Sequence, residues 1–277
     1  NFIKLKLKER KNKQFHKEAR SIIDTVYKNN ICDLFSHVQI ETISKCNGKC
    51  SFCPVNSFTD PRNSEFMSEE LFFKIINELK KINYKGFLSF FGNNEALLDK
   101  RLIDWIEKSR ELLPSTVFSL YTNGTPLNLN KFLRLSNVLD ELVINNYNDQ
   151  GKLHLNIQEI LEYLKNSNNK ADHLIIRKRL ENQIMNTRAG NSQTGLKSIK
   201  ISATCTYPFH QINIVPNGNI SLCCNDSYVE QIMGNVKTSS LVEIWNNQKY
   251  RELRNKIFST RQNIKICSSC DEMQNVD

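Results

Sequence analysis

HVQIETISKCNGKCSFC, residues 37–53, is the stretch from which the rest of the chain can be read. Its first half, HVQIET (37–42), reads as a short strand, and a cysteine cluster follows it directly. Cys46, Cys50 and Cys53 have CxxxCxxC spacing. Soft thiolates at this spacing can wrap one corner of a four-iron cube, and three of them leave one iron open to a substrate or cofactor. On spacing alone, a zinc site with a borrowed fourth ligand or three packed core cysteines remain open.

Working outward, SEELFFKIINELKKI (68–82) places Leu71, Phe72, Ile75, Ile76, Leu79 and Ile82 on one stripe and is predicted to be a helix. GFLSFF (86–91) reads as a strand running into the polar turn GNNE (92–95), and 99–112 as a second amphipathic helix. TVFSLYTNG (116–124) reads as strand then turn, LNLNKFLRL (127–135) as a short helix, and DELVINNYND (140–149) as strand then loop. IQEILEYLKN (157–166) and ADHLIIRKR (171–179) follow as helix and strand. This alternation predicts an α/β fold with a parallel sheet and helices outside. The strands end in Thr42, Asn93–Glu95, Thr122–Asn123, Asn145–Asn146 and Arg177. Ligands of such folds gather beyond the C-terminal strand ends, so the chemistry is expected on that rim.

Residues 1–36 are predicted to be a basic, helical lead-in. The periodicity stops near 190, and TRAGNSQTGLKS (187–198) is polar enough to be a boundary. QINIVPNGNISLCC (211–224) is predicted to form a hairpin around Pro216–Asn219. LVEIWNNQKYRELRNKIF (241–258) is predicted to be one helix. The expected domains are therefore 1–36, 37–190 and 200–273.

The formal charge is +9. Lysines are dispersed and no lysine-rich block is interleaved with aromatics, so nucleic acid is not the expected partner. No apolar run approaches the roughly 18–20 residues of a spanning helix, and the charged first residues lack a signal-peptide core. The chain opens on Asn rather than Met, as a trimmed chain would. Nine cysteines without a secretion signal point to metal ligation in a cytoplasmic protein rather than to disulfides.

With Phe52 before its third cysteine, CNGKCSFC resembles the CxxxCxΦC signature of the radical SAM enzymes, and the resemblance extends over roughly 37–185. It implies a partial (β/α)6 TIM-like barrel whose open iron is chelated by the amino and carboxylate groups of S-adenosylmethionine. One electron then gives methionine and a 5′-deoxyadenosyl radical that takes a hydrogen atom from the substrate. A flavodoxin or ferredoxin-type reductant is implied as well. The family's Gly-Gly-Glu-Pro, which binds the methionyl amino group, corresponds to Gly92-Asn93-Asn94-Glu95-Ala96, with Asn for the second Gly and Ala for Pro. Backbone or Asn side-chain carbonyls can accept from an ammonium there. Thr122, Asn123 and Asn145 are implied near the ribose or carboxylate, although each residue type also caps turns.

The C-terminal part, about 200–273, resembles the family's shortened auxiliary-cluster module, the twitch form of the SPASM domain. The resemblance implies Cys205, Cys223, Cys267 and Cys270 as four ligands of a second 4Fe–4S cluster, although zinc also accepts four thiolates. A small cysteine-rich hairpin and helix domain is thus expected behind the barrel. Cys32 is expected to pack in an apolar setting. Cys224 is either structural or a thiol that donates a hydrogen atom.

Two uses of this architecture compete. In one, an alcohol carbon of a small sugar or aminocyclitol, phosphorylated or nucleotide-linked in some cases, is oxidised. In the other, a ribosomal peptide is crosslinked, oxidised or epimerised. A non-catalytic cluster scaffold is the third reading. The length resembles that of the compact alcohol-dehydrogenating members. Asn145, Asn146, Tyr147, Asp149, Arg177, Arg179 and Arg188 are the polar rim candidates. Tyr147 and Cys224 are candidate catalytic groups. Arg177, expected to point into the mouth, and Arg188, between the domains, are candidates for binding a carboxylate or phosphate or for assisting alcohol deprotonation.

Overall fold

The computed structural model describes residues 34–167, 171–192 and 205–272. Cys32 and nearly all of the expected lead-in lie outside the described residues, as does 193–204. One sheet runs through the molecule in the order β5-β4-β3-β2-β1-β6-β7-β8. Strands β1 (His37–Ile40), β2 (Phe87–Ser89), β3 (Val117–Thr122), β4 (Glu141–Tyr147) and β5 (Leu174–Arg179) are parallel neighbours. Between them lie α1 (Glu69–Lys81), α2 (Leu102–Leu112), α3 (Leu129–Ser136) and α4 (Leu155–Asn166). Local chemistry accounts for these elements. Ser68 caps α1 by accepting from Leu71 N, Glu69 and Glu70 sit in its first turn, and Lys80 and Lys81 in its last.

Period-two patterning separates the two faces of the sheet. Val38, Ile40, Leu88, Phe118, Leu120, Leu142, Ile144, Ile212 and Ile214 are buried in the core shared with the helices. The alternate positions form a polar inner face. His37 Nε2 and Ser89 Oγ are 2.7 Å apart, Ser89 Oγ and Ser119 Oγ are 2.7 Å apart, and Gln211 Nε2 donates to Gln39 Oε1 at 3.1 Å. Burial pushes the His37 imidazole down to about 4. The unfolded chain titrates near 6.5, so stability from the neutral ring is complete above that pH and is lost as pH falls through about 4. His37→Gln is therefore expected to remove about 2–3 kcal/mol of the destabilisation that acidification to pH 4.5 imposes. Urea unfolding of both proteins at pH 7 and 4.5 checks this, and parallel pH dependences would assign the acid sensitivity elsewhere.

Six strands are parallel, but the sixth does not follow β5. It is β6 (Gln211–Ile214), the first strand of the expected hairpin, lying on the far side of β1 in the register His37↔Gln211 to Ile40↔Ile214. Antiparallel β7 (Asn219–Ser221) and β8 (Ile232–Asn235) complete the sheet. The mixed α/β class therefore stands, with the cysteine-bearing part joined edge-on to the barrel sheet. After the short α5 (Tyr207–His210), the predicted helix 241–258 divides into α6 (Leu241–Trp245) and α7 (Gln248–Ser259). Asn247 breaks it: its side chain accepts from Tyr250 N at 2.9 Å as an N-cap and donates to Met233 O at 2.8 Å. The last helix is α8 (Lys265–Ser268). Among the described residues, no helix is long and apolar enough to cross a membrane.

Candidate cluster and cofactor site

Cys46, Cys50 and Cys53 lie on the loop beyond β1, all as free thiols. The loop is pinned at several points. Asn56 donates to Cys53 O at 2.8 Å and accepts from Phe58 N at 2.9 Å, and Ser51 N donates to Glu181 O beyond β5 at 2.9 Å. Burial pushes Cys46 and Cys50 up to about 12, and the neighbouring thiols add to it: Cys53 acts on both and Cys46 on Cys50. A side chain at Gly48 would place Cβ 3.3 Å from Cys46 Sγ and 3.9 Å from Cys50 Sγ, so the missing Cβ leaves a cradle between the sulfurs. Among the described residues, no three His, Cys, Asp or Glu side chains close to the spacing of a single ion. A four-iron cube holds its thiolates farther apart than one ion does, and a thiol that keeps its proton by itself gives it up to a metal. Three soft thiols on one loop, with the Gly48 cradle between two of their sulfurs, are the donor set that a cluster takes. Phe52 is 8% exposed and packs against Tyr147 with ring centroids 5.8 Å apart.

The Gly92–Glu95 turn faces this loop, but its side chains are committed. Asn93 Oδ1 accepts from Arg188 Nη2 at 2.8 Å and Ser227 Oγ at 3.3 Å, and Asn93 Nδ2 donates to Cys224 O at 3.2 Å. Asn94 accepts from Gly92 N at 3.0 Å and donates to Ile43 O at 2.9 Å. Glu95, buried, accepts from Thr122 Oγ1 at 2.7 Å, Asn123 N at 2.6 Å and Leu97 N at 3.1 Å. Burial raises its pKa while these donors oppose the rise. Asn93 Oδ1, already holding two donors, is filled, whereas Asn94 Oδ1 holds one donor and so keeps acceptor capacity alongside the turn's backbone carbonyls. Asn123 holds the cysteine loop by donating to Asn47 Oδ1 at 2.8 Å.

Sequence reasoning missed the group that organises this turn. Glu41 accepts from Asn93 N at 2.7 Å and from Arg62 Nη1 at 2.9 Å. Arg62 also reaches Asn93 O at 2.6 Å and Asp60 at 2.9 Å. A Cβ on Gly92 would stand 2.5 Å from Glu41 Oε2, which explains the glycine. The only signal was a carboxylate at the C-terminal end of β1; nothing in 60–62 announces its partner.

Of the other rim candidates, Asn145 accepts from Arg179 Nε at 3.0 Å, and Asn146 is a buried turn cap bonded to Lys152 O and His154 N. Arg177 lies within β5 rather than at its end, over the Tyr121 ring at 5.5 Å. The structure brings three of the four catalytic candidates together. Burial pushes Tyr147 up to about 12, with Cys50 and Cys53 raising it and Arg179 and Arg188 lowering it. Burial pushes Cys224 up to about 11, and Arg188 opposes that. Tyr147 and Cys224 thus both feel the charge of Arg188, and Asn93 joins Arg188 to the Cys224 backbone.

In that second set, burial raises Cys205, Cys223 and Cys267. The thiols also act on one another: Cys205 feels Cys267 and Cys270, Cys223 feels Cys205 and Cys267, and Cys267 feels Cys270. The segment before it docks on the same tail. Thr187 N and Oγ1 donate to Asp271 at 2.6 and 2.7 Å. Arg188, Ala189 and Gly190 are all left-handed (φ 48°, 57° and 89°), and a Cβ on Gly190 would lie 2.8 Å from Ser269 Cβ. That turn aims Arg188 at Asn93 and at Asn225, 3.3 Å away.

Comparison with known proteins agrees with this geometry. Residues 40–181 match the model of the radical SAM superfamily, and residues 205–271 match SPASM, an iron–sulfur cluster-binding domain. The S-adenosyl-L-methionine-dependent 2-deoxy-scyllo-inosamine dehydrogenase of Niallia circulans is 23% identical over 246 residues, which are 87% of this chain and 94% of that protein. The crystal structure of BtrN in complex with AdoMet and 2-DOIA superposes with a TM-score of 0.75 at 21% identity, covering 89% of this chain and 98% of that one. Native anSMEcpe with bound AdoMet and Kp18Cys peptide gives 0.52 at 14% identity, covering 84% and 89%. The two matched domains imply S-adenosylmethionine and iron–sulfur clusters as cofactors. With its signature cysteines gathered on the barrel rim and a second cysteine set joined to the same sheet, the chain belongs to the radical SAM superfamily and is an enzyme of that family carrying a C-terminal SPASM-type domain.

Proposed function

We propose that this enzyme oxidises one alcohol carbon of a small sugar or aminocyclitol-type molecule. The observation that carries this reading is the similarity to the 2-deoxy-scyllo-inosamine dehydrogenase over 94% of that protein, a span that includes both cysteine sets. The domains are 37–190 for the barrel and 200–273 for the auxiliary module, with 1–36 preceding them. Cys46, Cys50 and Cys53 hold a 4Fe–4S cluster with one iron left for S-adenosylmethionine. Cys205, Cys223, Cys267 and Cys270 hold a second, fully ligated one. When bound, these groups supply the hydrogen-abstracting 5′-deoxyadenosyl radical and an acceptor for the remaining electron. A reducing, cytoplasmic setting and a flavodoxin or ferredoxin-type donor belong to the same reading.

The chain's own residues do the rest. Phe52 and Tyr147 cover the first cysteine loop and exclude water. The Gly92–Glu95 backbone, held by Glu41 and Arg62, receives the cofactor's ammonium, while Thr122, Asn123 and Asn145 lie along the adjoining strand ends. Tyr147 keeps its phenolic proton well above neutral pH and so donates a hydrogen bond to a substrate oxygen rather than acting as a base. Arg177 and Arg188 supply positive charge for a developing alkoxide or for a phosphate or nucleotide-linked substituent.

The test is anaerobic reconstitution with dithionite, S-adenosylmethionine and carbon-deuterated 2-deoxy-scyllo-inosamine or related amino sugars. Deuterium in 5′-deoxyadenosine, together with a ketone product, is expected. Exchange without net oxidation, abolished by Cys224→Ala, would assign epimerisation instead. Deuterium transfer only from peptides would overturn the small-molecule reading.

A further inference from the structure

Arg261 follows α7 and is 3% exposed, yet it forms no ion pair among the described residues. Its Nη2 donates to Cys270 O at 2.6 Å and its Nη1 to Glu272 O at 3.3 Å. Its Nε–H is buried with no acceptor. A guanidinium taken out of water without an anion is costly, and so is an unpaired buried donor. The groups around it identify the missing partner. Both carbonyls it holds, Cys270 O and Glu272 O, belong to the tail that carries Cys267 and Cys270, so the guanidinium and its unpaired Nε–H lie against that cysteine set. The nearby carboxylates serve other donors: Asp271 serves Thr187, Glu272 serves Asn186, and Asp226 serves Glu230 N and Gln231 N.

We infer that Arg261 is the resident counter-cation and positioning residue of the C-terminal four-cysteine site, clamping the Cys270 backbone and giving its Nε–H to the anionic sulfur of the group held there. The inference rests on the ligation proposed above. Its consequence is electrochemical. A buried positive charge and an N–H···S hydrogen bond both favour the added electron, so the site becomes a readier electron acceptor. A dehydrogenation that must dispose of a second electron has use for that.

The test uses the full chain carrying Cys46→Ala, Cys50→Ala and Cys53→Ala, so that only the C-terminal site can hold iron. Its reduction potential is measured by redox titration followed by EPR, with and without Arg261→Gln and Arg261→Lys. Arg261→Gln is expected to lower the reduced-to-oxidised ratio at fixed potential at least tenfold, 59 mV for one electron. Arg261→Lys keeps the charge but not the two-carbonyl clamp, and is expected to retain most of the potential with a less stable cluster. With 15N-arginine labelling, the reduced parent is expected to show a nitrogen coupling that Arg261→Lys abolishes, a readout that does not depend on the Gln variant folding. An unchanged potential in Arg261→Gln, or no arginine coupling in the parent, overturns the inference alone. A parent that binds zinc, or no metal, overturns the proposed ligation and the inference with it.

Discussion

Alanine at any one of Cys46, Cys50 or Cys53 is expected to bring 5′-deoxyadenosine formation below detection while the C-terminal site keeps its iron. Three thiolates leave one iron for the cofactor; two leave a second iron open to water and oxygen, and the cluster is lost. The loop has no spare ligand. Ser44 and Ser51 are the hydroxyls nearest in sequence, and both are committed, Ser44 to Asn63 O at 2.7 Å and Ser51 to Glu181 O at 3.3 Å. Alanine at Cys205, Cys223, Cys267 or Cys270 is expected to do the reverse, keeping S-adenosylmethionine cleavage but uncoupling it from ketone formation. Cys224→Ala is expected to keep both clusters. Iron content, EPR with and without S-adenosylmethionine, and product ratios separate these outcomes. Loss of cleavage in every variant alike would mean that the two cysteine sets form one indivisible unit.

Arg62→Ala is expected to be the most destabilising single change near the cofactor turn, by about 3–5 kcal/mol at neutral pH. Glu41 is buried, and its pKa is raised by that burial despite Arg62 beside it and the Asn93 N–H. Without the guanidinium its folded pKa rises further above the unfolded value. The stability contributed by the neutral acid is present at low pH and lost as pH rises through that folded value, so the gap between variant and parent should narrow on acidification. Urea unfolding at pH 7.5 and 5 measures it; a gap that stays constant would show that packing, not charge, carries the effect. S-adenosylmethionine affinity should fall as well, because Arg62 also holds Asn93 O.

What could be read from the residues was what repeats or what carries a spacing. The apolar stripe of α1, the alternation of strands and helices, the CxxxCxxC loop and the hairpin at Gly218 all declare themselves locally. Asn246–Asn247 shows the limit: the apolar period runs through 241–258, but a side-chain cap outcompetes it. The placement of β6 beside β1 was hidden because pairing across so long a separation leaves no local mark. The same holds for the Glu41–Arg62–Asn93 cluster, whereas Arg188 stood out in the polar stretch between the domains and only the left-handed turn that aims it was hidden. β5 runs two residues past Arg177, which pairs with Asn145 and lies over the Tyr121 ring.

The pairing of β1 with β6 also bears on how the molecule is made. Gln39 and Gln211 meet across 172 residues of sequence. On the ribosome, β1 emerges well before β6, and one of its edges stays bare until residues 211–214 have followed. An exposed parallel edge is slow to be satisfied and is a template for association with other chains. The cysteine loop hangs from that same strand. Cluster insertion thus meets a half-built sheet if it runs ahead of synthesis and a closed one if it lags, so iron delivery and chain completion are tied to one another in time.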